Sequence, residues 1–281
     1  MIPHEAKLTE ARVLQARVMS PTTPRPYTLP MRHCLRAQLQ QFIALFVILL
    51  ILWSPRHLHA QAPTDHAIWL PIVMTAATAA ASNPIHEGIA TYYGATGAGA
   101  CLFDPSPEDL MVAALNAEEF DTAAFCGAYV HVIGPSGTVT VRIVDLCPEC
   151  RAGHLDLSRE AFARIADPVQ GRVNITWQVI SPNLTGPIAY HFKDGSNQWW
   201  TAVQIRNHRN PTAKVEYFDG SQWVNVARTE YNYFVQTNPG MGPGPYQFRV
   251  TDHYGNVLVD QDITHVENGT VQGGAQFPAG P

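Results

Sequence analysis

The chain has little of what a membrane or nucleic-acid protein needs. Its apolar run Phe42 to Trp53 is 12 residues, whereas a spanning helix takes about 20. Positive charge is scarce beyond the start. Residues 1–60 carry 7 Lys+Arg against 2 Asp+Glu, or +5; the rest carries 11 basic and 21 acidic residues, or -10. No basic run offers a footprint for a polyanion, which excludes a nucleic-acid partner. Cysteine is sparse too: five residues in 281, with a single C-x-x-C pair. A strong zinc signature needs a second pair at ligand spacing, and there is none. The 46% of hydrophobic residues excludes a disordered chain, and the length suffices for two modest domains.

The short apolar run is preceded by Arg32 and Arg36 and followed by Ala60 and Ala62. A charged stretch, a short apolar core and small residues make a secretory leader, expected over residues 1–60. Starting from Met31, Met31 to Ala60 is a leader of ordinary size. An uncleaved anchor is the alternative, opposed by the shortness of the run and by Arg56 behind it. Residues 61–84, rich in Ala, Thr and Pro, read as a flexible linker that contains an apolar patch, Ile68 to Met74. Export removes Cys34 with the leader. Cys101, Cys126, Cys147 and Cys150 remain, an even number that suits disulfides in an oxidising compartment.

Residues 85–180 are dominated by strand-like runs: Gly88 to Tyr93, Ala128 to Ile133, Thr138 to Val144 and Val173 to Ile180. In VTVRIV, Val139, Val141 and Ile143 alternate to one side. GPSG (134–137) is a turn between two runs. One helix is signalled, with Ser158 as its cap, Glu160 in its first turn, Phe162 and Ile165 on one face, and Asp167-Pro168 beyond its end. Many short strands with one helix point to a small β-barrel. Residues 184–276 carry strand candidates Ile188 to Phe192, Thr201 to Ile205, Lys214 to Phe218, Trp223 to Ala227, Tyr246 to Thr251 and Val257 to Ile263, with no helix signal. That spacing suggests an antiparallel sandwich. The fold class is thus mainly all-β, in two domains joined by so short a junction that they should touch. The Gly-rich tail after Glu267 is expected to fray.

The densest polar cluster is VDLCPEC (144–150) followed by HLDLS (154–158). Asp145 and Asp156 both fall near element ends, where side chains reach a groove, and paired carboxylates can serve glycoside chemistry. Asp156 also has a purely structural reading, as support for the helix dipole. Cys147-x-x-Cys150 reads as a local disulfide across Pro148 or as half a zinc site with His154 nearby; the exported setting favours the disulfide. In the second domain Trp199 and Trp200 are adjacent, so both cannot point into a core from a regular strand. Trp223 and Phe234 are expected in the core. Trp199 and Tyr231 fit core and surface alike.

GIATYYG, ACLFDP, ALNAEEF, FCGAYV, VTVRIVDLCPEC, HLDLSREAF and WQV, in that order, resemble the double-psi β-barrel of the expansins. SNQWWTAVQIRNH, AKVEYFDG, YNYFV and FRVTDHYG resemble the immunoglobulin-like β-sandwich that follows it in bacterial expansins. The resemblance implies a secreted protein that binds cellulose and related β-glucans and loosens wall networks without hydrolysis. It also implies no cofactor, no metal and a monomer. Thr91, Asp145 and Asp156 match the groove residues, with Asp156 the acid required for loosening and Asp145 hydrogen-bonded to it. Trp199, Trp200 and Tyr231 match the cellulose-binding aromatic platform, and Lys193 a basic residue beside it.

One departure is Cys147, which stands where many bacterial expansins have Tyr, so a groove ring is missing. The four cysteines resemble those of loosenins, which implies Cys101–Cys126 and Cys147–Cys150 pairs. Family-45 endoglucanases share the barrel but place a base after an early strand, where Tyr92-Tyr93-Gly94 has no carboxylate. Weak hydrolysis through Asp156 is therefore one alternative. Lytic transglycosylase action on peptidoglycan, needing one acid, is another, and a carbohydrate-binding protein with an inert barrel is the third.

Overall fold

The computed structural model describes residues 82–281. The leader, the Ile68–Met74 patch and all but the last residues of the linker lie outside the described residues. Six strands close a barrel: β1 (His86–Tyr93), β2 (Val112–Asn116), β3 (Tyr129–Gly134), β4 (Gly137–Cys147), β5 (Leu155–Ser158) and β6 (Val173–Ile180), in the order β1-β5-β2-β4-β3-β6. The β1–β5 and β2–β4 pairs run parallel, the rest antiparallel. The GPSG turn joins β3 to β4. Val139, Val141 and Ile143 point into the core, as their alternation requires.

Two helices pack against the barrel strands, α1 (Ala117–Phe120) and α2 (Arg159–Ile165). The Ser158 hydroxyl caps α2 by accepting from Ala161 N, while Ala161, Phe162 and Ile165 are buried. That face seals the barrel, and burying each large side chain there contributes about 1.5–3 kcal/mol. The sequence shows neither β2 nor β5 plainly. All five residues of β2 are buried, so it lacks alternation. The four residues of β5 are too few to display a period.

The second domain is an antiparallel sheet of eight strands in the order β13-β12-β9-β10-β11-β8-β7-β14. These are β7 (Ala189–Phe192), β8 (Trp200–Arg206), β9 (Thr212–Phe218), β10 (Trp223–Arg228), β11 (Phe234–Thr237), β12 (Tyr246–Asp252), β13 (Val257–Ile263) and β14 (Thr270–Gln272). It folds over so that Tyr190, Phe192 and Ile205 of one half share a core with Val215, Phe248 and Val250 of the other.

Two expectations are corrected here. The tail does not fray: β14 pairs with β7, Phe277 is buried, and Asn210 Nδ2 donates to Pro278 O. Glycine permits this docking, since a Cβ on Gly273 would lie 2.4 Å from Asp260 Oδ2. Trp223 is not core. It is half-buried at the surface beneath the Arg249 guanidinium, 4.7 Å from the ring centre, an arrangement in which the cation covers the ring. Phe234 is buried, as expected.

The domains touch, as the short junction requires. Arg206 pairs with Asp104, Arg228 Nη1 donates to Ala123 O, and Gln204 Nε2 donates to Cys101 O. His208 is buried against Gly127, where any Cβ would stand 2.6 Å from its Nε2.

Candidate functional site

Register assembles the groove. Parallel β1–β5 pairing sets Thr91 opposite Asp156, antiparallel β2–β5 pairing sets Asp156 opposite Ala114, and parallel β2–β4 pairing sets Ala114 opposite Asp145. Thr91, Asp156, Ala114 and Asp145 thus form one row across four strands. Two inter-strand steps place the acids' Cα atoms about 9–10 Å apart. Ala114 between them is itself buried, packed with Tyr93, Cys147 and Cys150.

Each member of the row has defined partners. Thr91 Oγ1 donates to Asp156 Oδ1 at 2.5 Å, and His154 Nε2 lies 2.9 Å from the same hydroxyl. The single Thr91 proton goes to the carboxylate, so His154 presents Nε2–H to Thr91. Burial holds the His154 imidazole below its ordinary pKa, with Asp156 opposing. Asp145 Oδ1 accepts from Ala100 N at 2.7 Å and from its neighbour Leu146 N at 2.9 Å. The turn before Ala100 comes so close that a Cβ on Gly99 would lie 2.4 Å from Asp145 Cγ. The resemblance implied a bond from Asp145 to Asp156. Instead, the backbone holds Asp145 and Thr91 holds Asp156. Both acids fall near element ends, as expected: Asp145 is two residues from the end of β4, and Asp156 is the second residue of the four-residue β5.

The cysteines pair Cys101–Cys126 and Cys147–Cys150. Cys147, Cys150, Ala114 and Tyr93 pack together beside the acids. Tyr93 is a groove residue that the sequence reading left out. Its hydroxyl is buried without a hydrogen-bond partner. Burial, then the charges of Asp145 and Asp156, push its pKa well up, so it stays a neutral donor. The signal was available: Tyr93 is two residues from Thr91, hence on the same side of the strand. It brings a ring to the part of the groove where Cys147 replaces one. Among the described residues no cluster of His, Cys, Asp or Glu could hold a metal.

In the second domain Trp199 is 69% exposed and Tyr231 36%, while Trp200 is half-buried at the start of β8. The exposed reading therefore holds for Trp199 and Tyr231. Asn197 Oδ1 shapes the Trp pair by accepting from both their backbone N–H groups. Gly240 passes under them, where a Cβ would meet Gln198 O at 2.2 Å. Lys193 lies with its Nζ 6.0 Å from the Tyr233 ring centre, and Tyr233 in turn lies 6.1 Å from Tyr231. Tyr231, Trp199, Trp200 and Lys193 belong to the second domain, and the groove acids to the first.

A family model described as lytic transglycolase matches residues 85–177. Expansin-YoaJ of Bacillus subtilis (strain 168) is 41% identical over 209 residues, covering 71% of this chain and 89% of that protein. The chain belongs to the expansin family. Among solved structures, the apo expansin of Clavibacter michiganensis is 34% identical to this expansin, with a TM-score of 0.65 over 69% of this chain and 98% of the other. A mutant of that Clavibacter protein, solved in complex with cellohexaose, aligns over the same shares at 33% identity and a TM-score of 0.65. Both domains of this expansin therefore have their counterparts in one known architecture.

Proposed function

We propose that this expansin is exported, binds cellulose and related β-glucans, and loosens wall networks without hydrolysing them. On this reading residues 1–60 are the leader, 61–84 a linker, 85–180 the barrel and 184–276 the cellulose-binding domain. Two disulfides suit the oxidising compartment that export reaches. Trp199, Trp200 and Tyr231, with Lys193 beside them, form the binding surface. Pyranose faces present C–H groups to such rings, and the cellohexaose complex of the Clavibacter relative supports a glucan as the ligand.

The observation that carries the reading is the row Asp145, Ala114, Asp156, Thr91. Asp156 and Thr91 offer a charge-assisted acceptor and a hydroxyl where a glucan chain can lie. A chain held there exchanges its hydrogen bonds to neighbouring glucans for bonds to the groove, and the network creeps. Inverting hydrolysis needs a second carboxylate free to take a proton from water. Tyr92-Tyr93-Gly94, where the family-45 endoglucanases place that base, supplies no carboxylate.

Lytic transglycosylase action on peptidoglycan is the second reading, favoured by the family model over the barrel. It requires one acid and no base for water. The experiment that separates the readings uses purified protein on cellulose and on peptidoglycan, following retention, creep and soluble products together. Creep with retention on cellulose and no soluble sugar is expected. Anhydro-muropeptides would establish the second reading, and cello-oligosaccharides would establish hydrolysis.

A further inference from the structure

Away from the groove, a cavity of about 270 Å³ opens where the barrel meets the second domain. Aromatic rings line much of it, beside Leu115 and Val179. His86 stacks on Trp177 with centroids 3.9 Å apart and planes 5° from parallel; Phe125 lies 5.7 Å from His253, which meets Tyr254 edge-on at 5.9 Å. Asn83 fastens the rim across the two domains, donating to Val179 O at 2.8 Å and to Tyr254 Oη at 2.7 Å. The remaining charged lining is of one sign: Glu118, Glu119 and Asp121. No Lys or Arg lines the cavity.

The carboxylates are not equivalent. Glu119 is engaged by His86 Nδ1 at 2.6 Å, by Asn116 Nδ2 and by Gly153 N. Glu118 and Asp121 are exposed, and their carboxylates have no hydrogen-bond partner among the described residues. Arg228, which feels the charge of Asp121, directs its guanidinium to Ala123 O and Thr212 O. The cavity is thus lined in large part by rings and has a net negative field.

We infer that this cavity binds a small organic ammonium ion, a cationic nitrogen clad in methyl groups. A cation seated against the face of Phe125 or Tyr254 lies within the roughly 6 Å over which ring faces attract cations. The apolar walls favour methyl groups over a hydrated primary amine, and Glu118 and Asp121 supply the charge complement. The volume suits a choline-sized head and is too small for a glucan chain. The site is independent of the groove and the aromatic platform.

Titration calorimetry of the exported chain with choline tests this, against its neutral isostere 3,3-dimethylbutanol and against glucosamine. Choline is expected to bind with Kd below about 1 mM, with the alcohol and the amino sugar each at least about tenfold weaker. Joint Glu118→Gln and Asp121→Asn substitution should weaken choline about tenfold. Phe125→Leu, which keeps an apolar side chain in place, should weaken it about fivefold. Retention on cellulose is expected to stay as in the parent chain for both variants, and the melting temperature for the charge variant, whose residues are exposed. Equal binding of choline and the alcohol, tighter binding of glucosamine, or no heat from choline up to about 10 mM would overturn the assignment.

Discussion

The side-chain amide of Asn232 reaches across the domain boundary to the carbonyl oxygen of Cys101, at 3.4 Å. Asn232 follows Tyr231 in the chain, and Cys101 is half of the disulfide to Cys126. The platform turn is therefore tied to a cross-linked point of the barrel. Gln204 Nε2 donates to the same carbonyl at 2.9 Å. Either amide alone satisfies it, so neither Asn232→Ala nor Gln204→Ala by itself orphans the carbonyl. The double substitution orphans a buried acceptor and should cost about 1–3 kcal/mol beyond the sum. Urea unfolding of the four proteins measures this coupling.

Replacing both Cys101 and Cys126 by Ser opens a loop closed across 25 residues. The chain-entropy model assigns that closure about 3.5 kcal/mol. A fall of roughly 10 °C in melting temperature is expected for a fold of this size. A fall confined to the platform turn, seen by hydrogen exchange with an unchanged melt, would contradict it.

Asp156→Asn should abolish creep of a cellulose composite and leave cellulose retention within about twofold, since the platform lies in the other domain and the loss is of charge-assisted bonding. Tyr93→Phe separates stability from function. Its hydroxyl is buried without a partner, so deleting it should leave the fold as stable or up to about 1 kcal/mol more so, while creep falls. Creep equal to the parent in Tyr93→Phe would remove the hydroxyl from the groove's work.

Trp199, Trp200 and Tyr231 should act together through apolar contact. A ring face covering 50–80 Å² is worth about 1–2 kcal/mol, so each Ala substitution should weaken cellulose binding about 5–30-fold, and the triple variant should retain almost none. Trp199, the most exposed, should lose binding without loss of stability; half-buried Trp200 should lose both. Depletion isotherms and melting curves on the same samples check this.

Burial depresses the His208 pKa from 6.5 to about 4. The unfolded chain therefore binds the proton first as pH falls. Stability is complete above pH 6.5 and declines as pH drops toward 4, by an amount on the order of 3 kcal/mol from this group. His208→Gln should flatten that part of the profile, whatever its effect at pH 7. A slope between pH 6.5 and 4 that survives the substitution would assign it to other groups.

The strands whose one face is solvated were legible. Val139 and Val141 alternate with exposed Thr138 and Thr140, and β6 and β13 were read to the residue. Burial on both faces erased the pattern in β2, and brevity erased it in β5, β11 and β14. The groove was legible as a set of residue types but not as a row, because the row depends on β2 and β5. Tyr93 was missed although its spacing from Thr91 marks it. Trp223 was misplaced because a ring covered by a guanidinium leaves the same trace in sequence as a ring in a core.

The parallel β1–β5 and β2–β4 pairs have a kinetic consequence. Partners such as Thr91 and Asp156 are 65 residues apart, and no hairpin brings them together. Non-local pairing of this kind must close long loops before any contact repays the entropy lost, which slows folding. The four-strand row exists only when the crossings are complete. A chain caught part-way, with β3 and β4 paired, would hold a sound hairpin and no groove, so recovery of creep during refolding should trail the recovery of strand signal.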